Sequence, residues 1–403
     1  MTSFDSSPTL TAWRALLALA VVFVMLATTG WTAVRHQRST DTRTLALAAW
    51  AKGSIAGRPL PDATAPPYTM AHFFATLTAA QRTRLADTHP LVVGNLNGAP
   101  VTTRYRANRR AIALAGAAER KRVRDTRLSP TGRARAQQRL DRFRSMLAPD
   151  RHFLAFDPTG RGLAAEVFGD LDRARRISLV VPGVDTGLLT LERTGAKVNA
   201  APVGMARSLY AAERAAAPGV RTAVIAWADY TTPMGIGIDA ATGTLAERGA
   251  VRLNALVRAL PGPAPVSLFC HSYGSVLCGV AASRLPGRVT DIAVAGSPGM
   301  RADNTGELHT RAHVWAARDS DDWIEDVPNL EIGGLGHGAD PVGRGFGARV
   351  VSADGAVGHS GYFVPGTESL DNFAAIGVGA YTSVTCASTD DACDAGAYAD
   401  APA

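Results

Sequence analysis

The spacing of hydrophobic residues changes near residue 150 of this 403-residue chain. Upstream, apolar residues recur three or four positions apart, as on one face of an amphipathic helix, and clusters of Pro and Gly separate these segments. Such segments are Leu45–Trp50, Phe73–Leu77 and Ala111–Leu114. Ser129 is a residue type that caps helices, and Pro130 suits the first turn of a further helix ending near Leu147. The pattern therefore predicts a helical region over residues 42–150.

From residue 151 onward, short apolar runs alternate with helical stretches. The runs His152–Phe156 and Leu163–Phe168 predict a β-hairpin. Six further runs have the length and composition of buried strands: Ile177–Val181, Ala223–Trp227, Val266–Cys270, Val289–Ala295, Ala312–Ala317 and Ala348–Ser352. Helices are expected around Met205–Ala217 and Leu245–Leu260. This alternation predicts an α/β domain over residues 151–382, with a mostly parallel sheet, helices on both faces, and ligands bound beyond the carboxyl ends of the strands.

The amino-terminal residues 1–41 contain a candidate membrane segment. Ala15–Val34 is twenty residues without a charge, which is long enough to cross a hydrocarbon core of roughly 30 Å as a helix. We interpret it as an uncleaved anchor, because Ala27–Trp31 only weakly matches a signal-peptidase site. The alternative is a cleaved signal peptide, which would make the protein secreted.

Two features give opposite indications about the side of the membrane on which the main domain lies. Arg35, Arg38 and Arg43 follow the segment, which favours a cytoplasmic carboxyl side. Cys386 and Cys393 stand seven residues apart in the polar tail 383–403, a spacing that suits a local disulfide and hence an oxidising compartment. We predict an extracytoplasmic domain.

Positive charge is concentrated in the helical region. The chain has a formal net charge of +7, yet Val101–Arg151 alone contains fifteen Lys and Arg against four acids. One interpretation is a solvated helix face whose arginine stems cover apolar surface. Another is a surface that meets an anionic membrane or an acidic partner. Nucleic acid is not expected, because no binding motif or interleaved aromatic pattern accompanies the charge.

Ser272 is the candidate nucleophile. It comes directly after the predicted strand ending at Cys270 and directly before a helix beginning near Gly274. A nucleophile elbow needs this placement, with small residues two positions before and after the serine so that strand and helix pack closely. The usual first glycine is Cys270 here. Cys270 and Cys278 are expected to be small, buried hydrophobic residues.

A second serine, Ser297 in Gly296–Gly299, also follows a strand. An oxyanion hole uses the backbone N–H of the residue after the nucleophile. Pro298 has no N–H, whereas Tyr273 has one, so Ser297 is interpreted as a turn residue. The second oxyanion donor is expected in the loop after the strand Ile177–Val181. Val184 is the first choice for that donor and Asp185 the alternative.

The remaining catalytic residues should follow the serine in the order acid, then histidine. His359 lies just past the last predicted strand and is the expected general base; His337 precedes that strand and is interpreted as a loop or pocket residue. The loop after Ala317 contains three carboxylates. Asp322 is the preferred candidate for the catalytic acid because of its position in that loop. Asp319 and Asp321 remain alternatives for the acid that orients the histidine.

Several short stretches carry a family likeness as a set, over residues 70–380. They are Pro90–Pro100, Arg104–Arg109, Gly169–Ala174, Val181–Gly183, His271–Ser275, Gly296–Gly299, Asp340–Pro341 and His359–Phe363. With these residues the chain resembles an uncharacterised, mainly actinobacterial α/β-hydrolase family, in which glycine usually stands where this chain has Cys270. The resemblance implies the hydrolase fold and a Ser-Asp-His triad. It implies no particular substrate.

The expected function is therefore a serine hydrolase acting on small or lipid-like carboxylic esters through an acyl-enzyme. No metal or cofactor is expected, since no histidine or cysteine cluster has ligand spacing. The helical region or the Gly-rich loop Thr232–Ile238 is a candidate cover of the active site. An acyltransferase or peptidase would use the same triad. A catalytically degenerate envelope protein is a further alternative, for which Cys270 is the sequence hint.

Overall fold

The alternation of apolar runs and amphipathic segments produces an α/β fold in the computed structural model of the chain, which describes residues 41–388 and Cys393. The chain divides into two units, Met1–Leu45 and Ala46–Ala403, and the fold below is that of the second. The candidate membrane segment 15–34 lies outside the described residues. Within the described part, no helix is long and apolar enough to cross a bilayer. The anchor and the extracytoplasmic location stay predictions.

The region predicted to be helical is helical, with one small antiparallel hairpin. Its elements are α1 (Thr42–Ala51), β1 (Ser54–Ile55), β2 (Arg58–Pro59), α2 (Pro67–Ala75), α3 (Ala79–Thr88), α4 (Pro90–Val93), α5 (Val101–Val123) and α6 (Pro130–Met146). The predicted cap is confirmed, because the Ser129 hydroxyl accepts the Gly132 N–H at the start of α6. Thr78 and Gln81 form a reciprocal capping box at the start of α3.

The region from residue 151 contains the predicted hairpin and strands. Its strands are β3 (His152–Asp157), β4 (Leu163–Gly169), β5 (Arg176–Val181), β6 (Thr222–Ala228), β7 (Val266–His271), β8 (Val289–Ala295), β9 (His313–Ala317), β10 (Glu331–Ile332), β11 (Leu335–Gly336) and β12 (Arg349–Val350). Its helices are α7 (Pro202–Ala216), α8 (Ile238–Ala241), α9 (Thr244–Ala259), α10 (Tyr273–Ala282) and α11 (Glu368–Val378). The last predicted strand is shorter than expected, and beyond its end Val351 bridges to Cys386 of the tail.

Eight of these strands form one sheet with the order β12-β9-β8-β7-β5-β6-β4-β3. The six strands β12, β9, β8, β7, β5 and β6 each pair in parallel with their neighbours in this group. Strand β4 pairs antiparallel with both β3 and β6. The sheet is buried on both faces, which explains why its strands are continuous apolar runs. The predicted mostly parallel α/β fold is confirmed, and β7, which leads into Ser272, lies in its centre.

Helix α5 covers the open edge of the sheet at β3. The Arg104 guanidinium donates to the Leu154 carbonyl (2.7 Å), and the Asn108 amide donates to the Phe153 carbonyl (2.8 Å). An edge strand exposes such unpaired carbonyls, so buried donors that occupy them block pairing with another chain. The helical region therefore belongs to the same unit as the sheet and closes one edge of it. Its role as a cover of the active site stays a prediction.

Two disulfides are present. One joins Cys386 to Cys393 in the tail. The other joins Cys270 of β7 to Cys278 of α10, so the expectation that these two residues are merely buried hydrophobes was wrong. Because α10 begins directly after the elbow and folds back against β7, the two side chains face each other across the strand–helix contact, with their Cα atoms 6.5 Å apart. The disulfide therefore encloses the Ser272 elbow.

Glu213 of α7 is a fully buried carboxyl group outside the candidate site. The Ser178 hydroxyl of β5 donates to its Oε1 atom, and a side chain at Gly377 of α11 would collide with that atom. Burial raises the pKa of Glu213 to about 8 from 4.5. Between these two pH values the folded chain holds a proton that the unfolded chain has lost, so the free energy of unfolding should fall as the pH rises through this window.

Replacing Glu213 by glutamine is expected to flatten this pH dependence, because the amide does not ionise. Thermal unfolding followed across the window from pH 4.5 to about 8 should show the Tm of the wild type falling more steeply than that of Glu213→Gln. Glu247→Gln, at an exposed position of α9, is the matched control and should keep the wild-type slope. Equal slopes for all three proteins would contradict the assignment.

Candidate active site

The backbone at Ser272 has the strained geometry of a nucleophile elbow. Ser272 lies between β7 and α10 with φ 56° and ψ −131°, a left-handed conformation that is costly for a residue with a side chain. Glycine is needed at two positions around it. A side chain at Gly274 would overlap the Val181 carbonyl of β5, and a Cβ at Gly183 would lie 2.6 Å from the Ser272 Cβ. This packing holds the hydroxyl at the carboxyl edge of the sheet.

Three of the sequence-predicted residues lie in one hydrogen-bonded row. His359, in a short 3₁₀ turn at Gly358–Ser360, has its Nε2 atom 2.9 Å from the Ser272 Oγ atom. Its Nδ1 atom lies 2.8 Å and 3.0 Å from the two carboxylate oxygens of Asp322. Asp322 is only 2% exposed and follows β9. A carboxylate on Nδ1 leaves Nε2 free to accept the hydroxyl proton.

The Asp322 carboxylate accepts two further hydrogen bonds. The Tyr362 hydroxyl donates to Oδ2 (2.6 Å), and the Ile324 N–H donates to Oδ1 (2.9 Å). Burial alone would raise the pKa of Asp322, but the hydrogen bonds from His359, Tyr362 and Ile324 outweigh it and hold that pKa below its ordinary value. Asp322 is therefore a stable anion at neutral pH.

Replacing Tyr362 by phenylalanine is expected to lower kcat about tenfold, since one hydrogen bond to a charged group is lost. The pKa of Asp322 should rise, so the Asp322–His359 pair should hold its proton more tightly. The acidic limb of the kcat/KM profile would then move to higher pH. A purely structural role for Tyr362 would lower the Tm without moving the limb. Phe363→Leu, a neighbouring apolar change, is the control and should leave the profile in place.

The two alternative acids have other surroundings. Asp319 accepts the Gly358 N–H with Oδ2 (2.6 Å), and its own N–H donates to the Tyr362 hydroxyl (3.0 Å). Asp319 thus ties the acid loop to the histidine loop. Asp321 is exposed to solvent. Asp322 is the one of the three that contacts His359 through its side chain.

His271 is a site residue that the sequence patterns did not single out. Its Nε2 atom donates to the main-chain carbonyl of His359 (2.6 Å), and the two rings lie 4.8 Å apart. Burial, together with the charge on His359, lowers the pKa of His271 to about 4, so its ring is neutral at physiological pH. His271 therefore holds the His359 backbone in place without competing for the proton. The only signal in the sequence is a titratable residue at the end of an apolar strand.

The loop after β8 forms the floor beneath the acid–base pair. A Cβ at Gly296 would lie 2.7 Å from the Asp322 Oδ2 atom, so only glycine fits there. The Ser297 hydroxyl accepts the Gly299 N–H (3.1 Å) and points into its own turn, in keeping with the interpretation of Ser297 as a turn residue. The sequence predicts only a turn in this loop and does not indicate the role of Gly296.

The two expected oxyanion donors, the N–H groups of Tyr273 and Val184, stay predictions. Tyr273 is the first residue of α10, where backbone N–H groups have no partner within the helix. Val184 follows the Gly183 contact with Ser272. The alternative, Asp185, has its N–H committed to the Pro233 carbonyl (2.9 Å). His337 is not part of the hydrogen-bonded row of Ser272, His359 and Asp322. Its Nε2 atom lies 2.6 Å from the Ala240 carbonyl.

Large apolar side chains project into solvent from loops near Ser272. The candidate cover Thr232–Ile238 bonds to the Val184 loop through Pro233, and the Trp323 ring lies 4.7 Å from the His359 ring. The hairpin β10–β11 bridges to Thr242, whose carbonyl accepts the Tyr273 hydroxyl (2.7 Å). We call these side chains the apolar rim, each at least 46% exposed: Met234, Ile236, Ile238, Trp323, Ile332, Leu335 and Val357.

Across residues 41–388 and Cys393, no group of three or more His, Cys, Asp or Glu side chains could hold a metal ion. The expectation of a reaction without metal or cofactor stays a prediction. The arrangement can carry out proton transfer between the Ser272 hydroxyl and the His359 imidazole, which is a step of acyl transfer.

Comparison with known proteins relates this fold to hydrolases. The profile of a family described as "Alpha/beta hydrolase" matches residues 157–332, a range that includes Ser272 and Asp322 and ends before His359. Two uncharacterised proteins of Mycobacterium tuberculosis, from strains CDC 1551 / Oshkosh and ATCC 25618 / H37Rv, are each 29% identical over 370 residues. That alignment covers 76% of this chain and 55% of each relative, so the chain spans about half the length of the curated relatives it matches.

Solved structures with a similar fold are more distant in sequence. A dienelactone hydrolase from Anabaena variabilis ATCC 29413 is 17% identical, covering 59% of this chain and 99% of that one, with a TM-score of 0.35. A 2,6-dihydroxy-pseudo-oxynicotine hydrolase is 14% identical, covering 78% and 88%, with a TM-score of 0.34. The profile match and the mycobacterial relatives support an α/β-hydrolase family for this chain.

Proposed function

We propose that the protein is a serine hydrolase that cleaves carboxylic esters through an acyl-enzyme, with Ser272, His359 and Asp322 as its catalytic triad. The observation that carries this proposal is the 2.9 Å approach of the His359 Nε2 atom to the Ser272 Oγ atom, with Asp322 on the other ring nitrogen. The strained backbone of Ser272 supports it, because such strain is typical of a nucleophile presented on an elbow.

In the first step the Ser272 Oγ atom attacks the ester carbonyl carbon and its proton passes to the His359 Nε2 atom. The carbonyl oxygen becomes an oxyanion, which the Tyr273 and Val184 N–H groups stabilise. The carbon–oxygen bond to the alcohol then breaks, and the alcohol leaves with the proton held by His359. Asp322 stabilises the imidazolium while it carries that proton.

In the second step water replaces the alcohol. His359 takes a proton from the water as its oxygen attacks the acyl carbon, and a second oxyanion forms in the same position. The bond between the acyl carbon and Ser272 Oγ breaks, the proton returns to Ser272, and a carboxylic acid is released. The free enzyme is regenerated without any oxidant or cofactor.

The apolar rim supports an ester with an apolar acyl or alcohol group. The loop that carries Met234 and Ile236 bonds to the Asp185 N–H through Pro233, and Trp323 packs against His359, so an ester bound at Ser272 is expected to extend along these side chains. Each methylene group that leaves water against such side chains contributes about 0.8 kcal/mol. Binding of p-nitrophenyl esters should therefore tighten as the acyl chain lengthens.

Hydrolysis of p-nitrophenyl esters of graded chain length tests the proposed function. We expect turnover by the wild type, and Ser272→Ala should reduce it to the background rate. Ser297→Ala, the matched control at the other strand-end serine, should keep the wild-type order of magnitude. Undiminished turnover by Ser272→Ala would overturn the proposal.

A further inference from the structure

One face of α5, together with the residue that directly follows the helix, carries five exposed cations without a carboxylate partner. They are Arg109, Arg110, Arg120, Lys121 and Arg124, and we call them the cationic face of α5. At 100° per residue they fall within one third of the helix circumference. In the described part of the chain none of the five has a carboxylate oxygen within 4.0 Å; Arg109 donates to the Ala148 carbonyl (3.2 Å).

Most other arginines of this region already have partners. Arg142 and Arg151 pair with Glu192 (2.7 Å and 3.0 Å), and Arg139 pairs with the buried Glu119 (2.8 Å). Arg142 thereby attaches α6 to the loop after β5, and Arg139 attaches α6 to α5. The interpretation as a solvated face, in which arginine stems cover apolar surface, fits these arginines. It does not account for the five cations of the cationic face of α5.

One acid lies beside the first two cations of the face. Asp87 of α3 accepts two hydrogen bonds from Arg106, of 2.7 Å and 3.0 Å, and attracts Arg110 only at longer range. Asp87, Arg106, Arg109 and Arg110 line an open surface cleft together with Ala113 and Leu147. Guanidinium groups at the edge of such a cleft match the oxygens of a phosphate group.

The middle of the face is small and apolar. Ala113 and Ala117 are half-buried between the two groups of cations, and the neighbouring Leu114 is 46% exposed. No aromatic side chain lies on this face, so it offers no platform for stacking bases. Lys and Arg clustered on one helix face are attracted to the anionic lipids of a membrane surface. These features favour lipid over nucleic acid.

We propose that the cationic face of α5 docks on the anionic headgroups of a phospholipid bilayer. The docked helix lies along the membrane surface, with Arg109 and Arg110 at one end and Arg120, Lys121 and Arg124 at the other. Attraction amounts to about 1 kcal/mol for each Lys or Arg near an anionic surface, which is about fivefold per residue in the docking equilibrium. The proposal does not depend on the triad or on the predicted anchor.

The test uses the full chain with a fluorophore on Ala117→Cys, at the centre of the face. It is added to vesicles of phosphatidylcholine that contain a headgroup-labelled quencher lipid, with or without phosphatidylglycerol. Neutral vesicles give the baseline set by any tethering through the amino terminus. We expect quenching to increase when phosphatidylglycerol is present and to return to the baseline as salt is raised.

Charge variants distinguish docking through α5 from general attraction. The variant Arg110→Gln, Lys121→Gln, Arg124→Gln should reduce the docked-to-undocked ratio about a hundredfold. Its matched control, Arg175→Gln, Arg248→Gln, Arg284→Gln, removes the same charge from exposed arginines outside α5 and should dock like the parent. Ester turnover should be unchanged in both.

Three results would overturn the proposal. One is equal quenching on neutral and anionic vesicles. Another is an unchanged docked ratio in the α5 variant, or an equal loss in the control variant. The third is displacement by DNA. If a DNA oligomer releases the labelled protein from anionic vesicles at a phosphate concentration below that of the lipid, the face would be assigned to nucleic acid.

Discussion

Replacing His359 by glutamine is expected to lower kcat for a p-nitrophenyl ester by about a millionfold, with little change in KM. Glutamine keeps much of the volume of histidine but cannot take the proton from the Ser272 hydroxyl, which lies 2.9 Å from the His359 Nε2 atom. Both acylation and deacylation need that transfer. Turnover under saturating ester, corrected for the uncatalysed rate, measures the effect.

His337 provides the control for this variant. His337 is buried like Ser272 and Asp322, but its Nε2 atom lies 2.6 Å from the Ala240 carbonyl. His337→Gln should therefore keep kcat within about tenfold of the wild type. A loss in His337→Gln as large as in His359→Gln would reverse the assignment of the general base.

Replacing Asp322 by asparagine is expected to lower kcat about ten-thousand-fold. The amide nitrogen of asparagine would donate to the Nδ1 atom of His359, so the imidazole proton would move to Nε2. An Nε2 that carries a proton cannot accept the one on Ser272. The variant should fold, because asparagine has the same shape and can still accept the Tyr362 hydrogen bond. Turnover and the Tm together measure the two consequences.

Substitutions of the other two carboxylates in the loop after β9 are two controls, one expected to have no effect on turnover and one expected to have a small effect. Asp321→Asn should behave like the wild type, since Asp321 is exposed. Asp319→Asn should have a small effect, because the asparagine carbonyl can still accept the Gly358 N–H. If either of these variants lost more activity than Asp322→Asn, the acid would have to be reassigned.

Much of the sheet could be predicted because buried parallel strands leave a local signature. Val266–His271 and Val289–Ala295 are short, mainly apolar runs between amphipathic segments, as is typical of strands that are covered on both faces. The order of elements then placed the carboxyl ends of β7, β8 and β9 on one edge. That is why Ser272, Asp322 and His359, far apart in sequence, could each be named from their position after a strand or loop.

Other parts of the site depend on contacts that leave no local pattern. Tyr362 donates to a carboxylate 40 residues away, and His271 bonds to the backbone of His359, 88 residues away. Gly296 looks like any turn glycine until Asp322 is seen against it. These residues follow from how three loops meet in space, which hydrophobic spacing does not describe.

Cys270 shows the same limit at short range. It stands two residues before Ser272, where glycine is usual. In the sequence alone, this departure is the hint for a catalytically degenerate protein. In the structure it pairs with Cys278 across the strand–helix contact. Whether two nearby cysteines face each other depends on the angle between strand and helix, and that angle is a property of the packed fold.

The most direct measurement of the central claim is mass mapping of a fluorophosphonate adduct on the folded protein. A fluorophosphonate reacts with a serine hydroxyl only where a base takes its proton and donors stabilise the resulting charge. We expect one adduct per chain, on the peptide that contains Ser272, present in Ser297→Ala and absent from Ser272→Ala. An unmodified folded protein, or an adduct that persists in Ser272→Ala, would contradict it.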